Sequence, residues 1–154
     1  MLYQSFTVDA AATNATLSFS MFVRNFADAT AIGDGLIHTA DPNQHARVDL
    51  LFGNFADRFD VSGGAVVRIF YLGADVISGA LVPWLDYLFD ITADLSRAGT
   101  YTLRFAQVDN QSFFNQGIDD VWLQVSAVPE PSTVVLVAFG MAVAGFVQRR
   151  RSNA

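Results

Sequence analysis

The chain has 154 residues, 52% of them hydrophobic and 14 of them Phe, enough for one domain with a sizeable core and little more. Its net charge is −6, and ahead of Pro129 the balance is steeper, 14 Asp against six Arg, a net −8. Phosphate neutralisation needs a basic face, so nucleic acid is excluded as a partner of this acidic body. The absence of Cys excludes disulfides, thiolate zinc sites and a Cys nucleophile.

The charges are also unusual in kind. All nine cations are Arg, and 14 of the 15 acids are Asp, with Glu130 the exception. Lys and Glu are good helix formers, whereas Asp prefers turns and caps, so the body is not written for long surface helices.

Taken in order, the body reads as short alternating runs. In Thr16–Arg24, Leu17, Phe19, Met21 and Val23 alternate with Ser18, Ser20, Phe22 and Arg24, a period of two that predicts a strand. Ala46–Phe52 sets Ala46, Val48 and Leu50 opposite Arg47 and Asp49, and Val66–Leu72 is β-branched and aromatic. Trp84–Ile91 is a further aromatic and apolar run, and Thr92–Arg97 predicts one helical turn with Thr92 as its cap. Tyr101, Leu103 and Phe105 alternate with Thr102, Arg104 and Ala106, and Val121, Leu123 and Val125 with Trp122 and Gln124. Gly33-Asp34-Gly35, Asp41-Pro42-Asn43, Ser62-Gly63-Gly64, Ala98-Gly99 and Asn115-Gln116-Gly117 separate the runs as turns. Six or more short strands at this spacing predict an all-β body over residues 1–127, an antiparallel jelly-roll-like β-sandwich.

The end of the chain has different chemistry. Val128-Pro129-Glu130-Pro131-Ser132 is neither regular helix nor inner strand, since its prolines remove donors and restrict their neighbours, and it reads as an extended hinge. Thr133–Val147 carries no charge and is apolar on every face. With Gln148 it is long enough to predict a transmembrane helix over residues 133–148, at the short end of the usual range. Arg149, Arg150 and Arg151 follow at once, costly to bury but suited to the cytoplasmic edge of a lipid membrane. The positive-inside bias predicts a single pass, with residues 149–154 cytoplasmic and the acidic body outside.

A proline-glutamate-proline box, a short apolar run and a terminal Arg cluster, in that order, resemble the PEP-CTERM sorting signal of Gram-negative bacteria. Its tail also goes by the name ice-binding protein C-terminal domain, a label that carries no evidence of ice binding. The resemblance implies that an exosortase, a membrane cysteine transpeptidase-like enzyme, recognises Pro129, Glu130 and Pro131 and releases the protein to the cell surface or the biofilm matrix. Glu130 is then a recognition residue, not a catalytic one. The stretches Asn43–Asp49 and Leu103–Leu123 resemble the short jelly-roll domains found ahead of such tails, which are carbohydrate-binding or structural. Such proteins begin with a signal peptide, whereas this chain begins Met1-Leu2-Tyr3-Gln4-Ser5-Phe6-Thr7, with no basic or apolar leader. The expectation is a truncated or misassigned start, with a signal sequence and a first strand upstream.

Two places in the body suggest binding chemistry. If Val121, Leu123 and Val125 face the core, Asp119 points inward and Asp120 outward. An inward carboxylate needs a partner. Carbohydrate-binding jelly rolls of this resemblance imply a structural calcium held with backbone carbonyls. The other reading is a carboxylate accepting loop N–H groups or pairing with Arg104 or Arg47. Asp109–Gln116 packs Phe113, Phe114, Asn115 and Gln116 into one loop, the mixture that stacks on sugar rings and bonds hydroxyls, and Trp84 and Trp122 could serve similarly. Against this, a Phe closing the core while the amides build turns explains the same residues. His38 and His45 share no metal-ligand spacing, and no nucleophile elbow or phosphate loop occurs, so a non-enzymatic protein is expected. The function expected is a surface or extracellular-matrix protein, and the alternative is a lectin-like module acting on exopolysaccharide.

Overall fold

The computed structural model describes residues 1–27, 35–39, 42–53, 59–73 and 83–127. Seven strands run through them: β1 (Leu2–Val8), β2 (Ala12–Asn25), β3 (His45–Phe52), β4 (Val66–Gly73), β5 (Leu85–Asp90), β6 (Gly99–Val108) and β7 (Phe114–Ala127). They form a four-stranded sheet of order β1-β6-β3-β4 and a three-stranded sheet of order β5-β2-β7, and every pairing is antiparallel. The described residues contain no helix, so the all-β expectation holds. The predicted transmembrane helix lies outside the described residues.

The sheets face each other across the alternating residues. Phe19 of β2 stacks on Tyr87 of its own sheet at 4.9 Å and meets Phe105 of the other sheet edge-on at 5.3 Å. Phe70 of β4 lies 4.9 Å from Phe89 of β5, fastening the opposite flank. Leu17, Met21, Val48, Leu50, Tyr101 and Leu103 fill the space between. Burying a side chain of this size stabilises by roughly 1.5–3 kcal/mol, so this layer carries most of the fold's favourable energy.

β3 departs from simple alternation. Ala46, Val48 and Leu50 face the core as expected, but Arg47, Asp49 and Leu51 on its other face are buried as well. Arg104, opposite Asp49 on β6, donates from Nε to Oδ1 at 2.8 Å and from Nη2 to Oδ2 at 2.6 Å. Arg47 Nε donates to the same Oδ2, and Arg104 Nη1 caps the Asp60 carbonyl at 2.9 Å. The charged face of β3 is therefore a second, polar interior. Asp49, not Asp119, is the carboxylate that Arg47 and Arg104 hold.

β7 carries a bulge that reverses a sequence expectation. Ser18 pairs with Trp122 and Ser20 with Asp119, so β7 spends one residue more than β2 over this step. Asp120 sits there at φ 49°, in the left-handed region that Asp tolerates better than most side chains, and its N–H donates to Asp119 Oδ1 at 2.8 Å. Leu123 and Val125 do face the core after the bulge, and Ile118 does before it. Counting back from Val121 through the bulge gives the wrong parity. Asp119 lies on the exposed outer face, and one of its oxygens accepts a neighbouring backbone N–H.

The turn after β5 is present, with the Leu95 N–H donating to the Ile91 carbonyl at 3.2 Å. Its cap is Asp90, whose Oδ1 accepts the Thr92 N–H, whereas the expected cap, Thr92, accepts the Ala15 N–H on its hydroxyl.

Candidate functional site

The loop expected to bind sugars carries a set of structural hydrogen bonds. Gln44 Oε1 accepts the N–H groups of Gln111 and Ser112 at 2.8 Å each, and its amide nitrogen donates to Asn25 Oδ1. Asn110 Oδ1 accepts the Asn43 N–H at 2.8 Å, and its Nδ2 donates to the His38 carbonyl at 2.9 Å. Asn43 and Gln44 are fully buried, so these amides tie three chain segments together at one end of the sandwich. Phe114 is buried in the core, and Gln116 donates to Met21 Sδ at 3.2 Å. Phe113 remains 64% exposed, packed edge-on against Phe26 at 5.4 Å, and Asn115 is exposed opposite Arg24. Of the four residues expected to bind, two are structural and two border the surface.

His45 lies beside this network at the head of β3. It is 1% exposed, and neither ring nitrogen has a hydrogen-bond partner. Burial, and then the positive charge of Arg47, push its pKa below the ordinary imidazole range.

The outer face of the three-stranded sheet is the surface where binding chemistry collects. Strand register places side chains on it in rows running β5 to β2 to β7. At one end, Trp84 packs edge-on against Phe22 at 4.8 Å, and Gly117 lies under the Phe22 ring. A Cβ on Gly117 would come within 2.0 Å of Phe22 Cε1, so only glycine lets that ring lie flat there. Next come Asp86, Ser20 and Asp119, with the Ser20 hydroxyl donating to Asp86 Oδ1 at 2.5 Å. Then follow Leu88, Ser18 and Trp122, with Leu88 75% and Trp122 67% exposed. Asp90, Thr16 and Gln124 complete the face. Trp84–Ile91 was legible in the sequence as an aromatic and apolar run. Its meeting with Asp119 and Trp122 was not, because it depends on strand order and on the bulge. At the open edge of the sandwich Trp122 also borders a cleft of about 350 Å³ lined by Gln4, Phe6, Leu103, Val121 and Leu123.

Among the described residues no three His, Cys, Asp or Glu side chains gather as a metal site, and no helix is long and apolar enough to cross a membrane. Asp119, named for calcium in the sequence, stands on the open face beside Ser20 rather than in an enclosed site.

β7, at the edge of its sheet, ends at Ala127, which pairs with Ala12 of β2. The residues expected to sort and anchor the protein, Pro129, Glu130, Pro131, Thr133, Val147 and Arg149 to Arg151, lie beyond it, outside the described residues.

None of the curated proteins matches the chain. Among solved structures, the K3 cleaved adhesin domain of Lys-gingipain from Porphyromonas gingivalis w83 is similar at 17% identity and a TM-score of 0.41. The match covers 80% of this chain and 63% of that one, so the chain spans less than two thirds of that domain's length. Residues 127–151, from the last residue of β7 through the third arginine, match the PEP-CTERM protein-sorting motif, and the chain is one that carries this sorting signal at its end.

Proposed function

We infer that the protein is a non-enzymatic cell-surface or extracellular-matrix protein, delivered by its tail to an exosortase. In this reading residues 133–148 cross the membrane once and Arg149, Arg150 and Arg151 stay on the cytoplasmic side. The enzyme meets Pro129, Glu130 and Pro131 at the outer boundary and frees the body. The observation that supports this most is the junction: the sorting motif opens at residue 127, where the last strand closes. Removing the tail therefore takes no strand from the sandwich. The non-enzymatic reading rests on the sequence, which has no nucleophile elbow or phosphate loop.

The jelly-roll assignment of the body is supported by strand order. β1-β6-β3-β4 against β5-β2-β7 is the arrangement of seven consecutive strands of an eight-stranded jelly roll, with the eighth place at the free edge of β7. A second reading, a module that holds exopolysaccharide, is favoured by the exposed Trp residues on the outer face of the smaller sheet.

The test of the main reading is export behind a secretion leader in a Gram-negative host with and without an exosortase. The expected result is a shorter, released product that requires both the enzyme and Glu130, with full-length protein retained in membranes when either is missing. Full-length protein in the soluble fraction of both hosts refutes it.

A further inference from the structure

We propose that the outer face of the three-stranded sheet binds a cationic polysaccharide, one containing free amino sugars, with Trp122 and Trp84 as stacking platforms and the intervening carboxylates pairing with ammonium groups. This deepens the polysaccharide reading by naming the site and the charge class.

The face combines two chemistries that seldom coincide by chance on exposed surface. The chain has only two Trp, and both lie here, 67% and 49% exposed. Large flat apolar rings held open to water cost solvation unless something covers them. The rows they occupy cross β2 at Ser18 and Phe22, four residues apart, or about 13 Å along the strand, a span that an extended oligosaccharide can bridge. The small residues Ser18 and Ser20 keep the floor between them low.

Charge selects the occupant. Asp86 and Asp119 flank Ser20 between the aromatic rows, Asp120 is exposed in the adjoining bulge, and Asp90 lies farther along. Among the described residues, Arg24 lies at the far end of this face opposite Asn115, with its guanidinium 4.5 Å from the centre of the Phe26 ring, and Arg68 of the other sheet reaches the Asp90 carbonyl at the margin at 2.9 Å, away from Asp86 and Asp119. An anionic glycan would be repelled by the carboxylates. A second copy of the chain would set the same carboxylates against themselves across a two-fold axis. An amino sugar satisfies both elements: its C–H face covers a ring, and its ammonium meets a carboxylate or the π-face itself.

Full-length protein in detergent micelles is titrated with a chitosan oligosaccharide, its fully N-acetylated counterpart, alginate oligosaccharide and oligolysine, reading tryptophan fluorescence. Because both Trp lie on this face, their emission reports the site directly. The expected result is saturable binding of the chitosan oligomer, weakened by salt and by N-acetylation. Trp122→Ala, and Asp86→Asn combined with Asp119→Asn, each weaken it about tenfold. Leu88→Lys, at a position that packs little, weakens it similarly without shifting the melting temperature, which separates lost binding from lost folding. Phe113→Ala leaves binding unchanged. Equal or tighter binding of the N-acetylated oligomer overturns the charge class, and loss of binding in Phe113→Ala overturns the location, both leaving the polysaccharide reading standing. Tighter binding of oligolysine overturns the choice of a glycan over a basic peptide. No binding of any glycan overturns the site and the polysaccharide reading together, with the sorting reading untouched.

Discussion

Replacing Asp49 with Ala removes the acceptor of three charge-assisted hydrogen bonds and leaves two guanidinium groups facing an interior. Asp49 has no exposure, Arg104 is 1% and Arg47 6% exposed, so water does not replace the lost carboxylate without opening the fold. Breaking a buried ion pair by removing one partner costs about 3–5 kcal/mol, against a total stability on the order of 5–15 kcal/mol for a domain. In a body of this size each kcal/mol moves the melting point by about 3–5 °C, so Asp49→Ala is expected to melt about 10–20 °C lower than the parent. Replacing the whole group, Asp49→Leu with Arg104→Met and Arg47→Met, removes the stranded charges and is expected to recover at least half of the loss. Circular dichroism melts of the full chain, checked by urea unfolding for an unchanged slope, measure both. A melting point for Asp49→Ala within about 3 °C of the parent would refute the argument, since the triad would then be hydrated rather than interior.

His45 carries its own pH signature. Its folded pKa lies below the unfolded value of about 6.5, so below that pH the unfolded chain takes up a proton that the folded chain refuses. Stability present above about pH 6.5 is then lost on acidification, by up to ~1.4 kcal/mol per pH unit, until the folded pKa is reached. Urea unfolding at pH 7.5 and 5.5 should show the loss, and His45→Phe should flatten it. Asp60 and Asp90, pushed below the ordinary carboxylate range by hydrogen bonds from Ser62 and Thr92, contribute in a separate window below about pH 4. Gly117→Ala should displace Phe22 and with it Trp84, read as a red-shifted tryptophan emission; an unchanged spectrum would mean the ring pair re-forms around the methyl group. In the bulge, Asp120→Gly should be neutral or stabilising, and Asp120→Val should cost about 1–2 kcal/mol by urea unfolding, because a β-branched residue resists the left-handed conformation.

Periodicity carried most of the strands, because one face of each is core and a period of two is enough to show it. β2 and β6 were legible for that reason. β1 was not, since Leu2–Val8 is an edge strand, exposed through Thr7 apart from half-buried Phe6, so no buried face marks it with a period of two. The burial of Arg47 and Asp49, on the face opposite Ala46, Val48 and Leu50, was not legible either. Alternation says which residues share a face, but only tertiary structure decides whether a second layer covers it, and here the Asp60 carbonyl belongs to that cover. The orientation of Asp119 turned on one residue: an inserted position in β7 is invisible to a parity count, so Asp119 was assigned to the interior when it lies beside Ser20, in the row of Asp86. The amides of the Asp109–Gln116 loop were ambiguous in the sequence because binding surfaces and turn scaffolds use the same residues. Their partners, Asn43 and Gln44, lie more than sixty residues away.

The continuity of β7 with the motif sets a clearance problem for the processing enzyme. One residue, Val128, separates the last ladder pair from Pro129, a reach of at most about 7 Å between the Ala127 and Pro129 Cα atoms. Under the proposed processing, a peptidase acting there would work against the end of a folded sheet, where the Ala12 N–H donates to the Leu95 carbonyl at 2.9 Å. The pairs nearest that end, Ala12 with Ala127 and Asn14 with Ser126, consist of small or polar residues that bury little and can fray without disturbing Leu123 or Val125. On that proposal the strand end is slack: a shallow cleft would cut the protein as it stands, and a deep one would draw on those last rungs first.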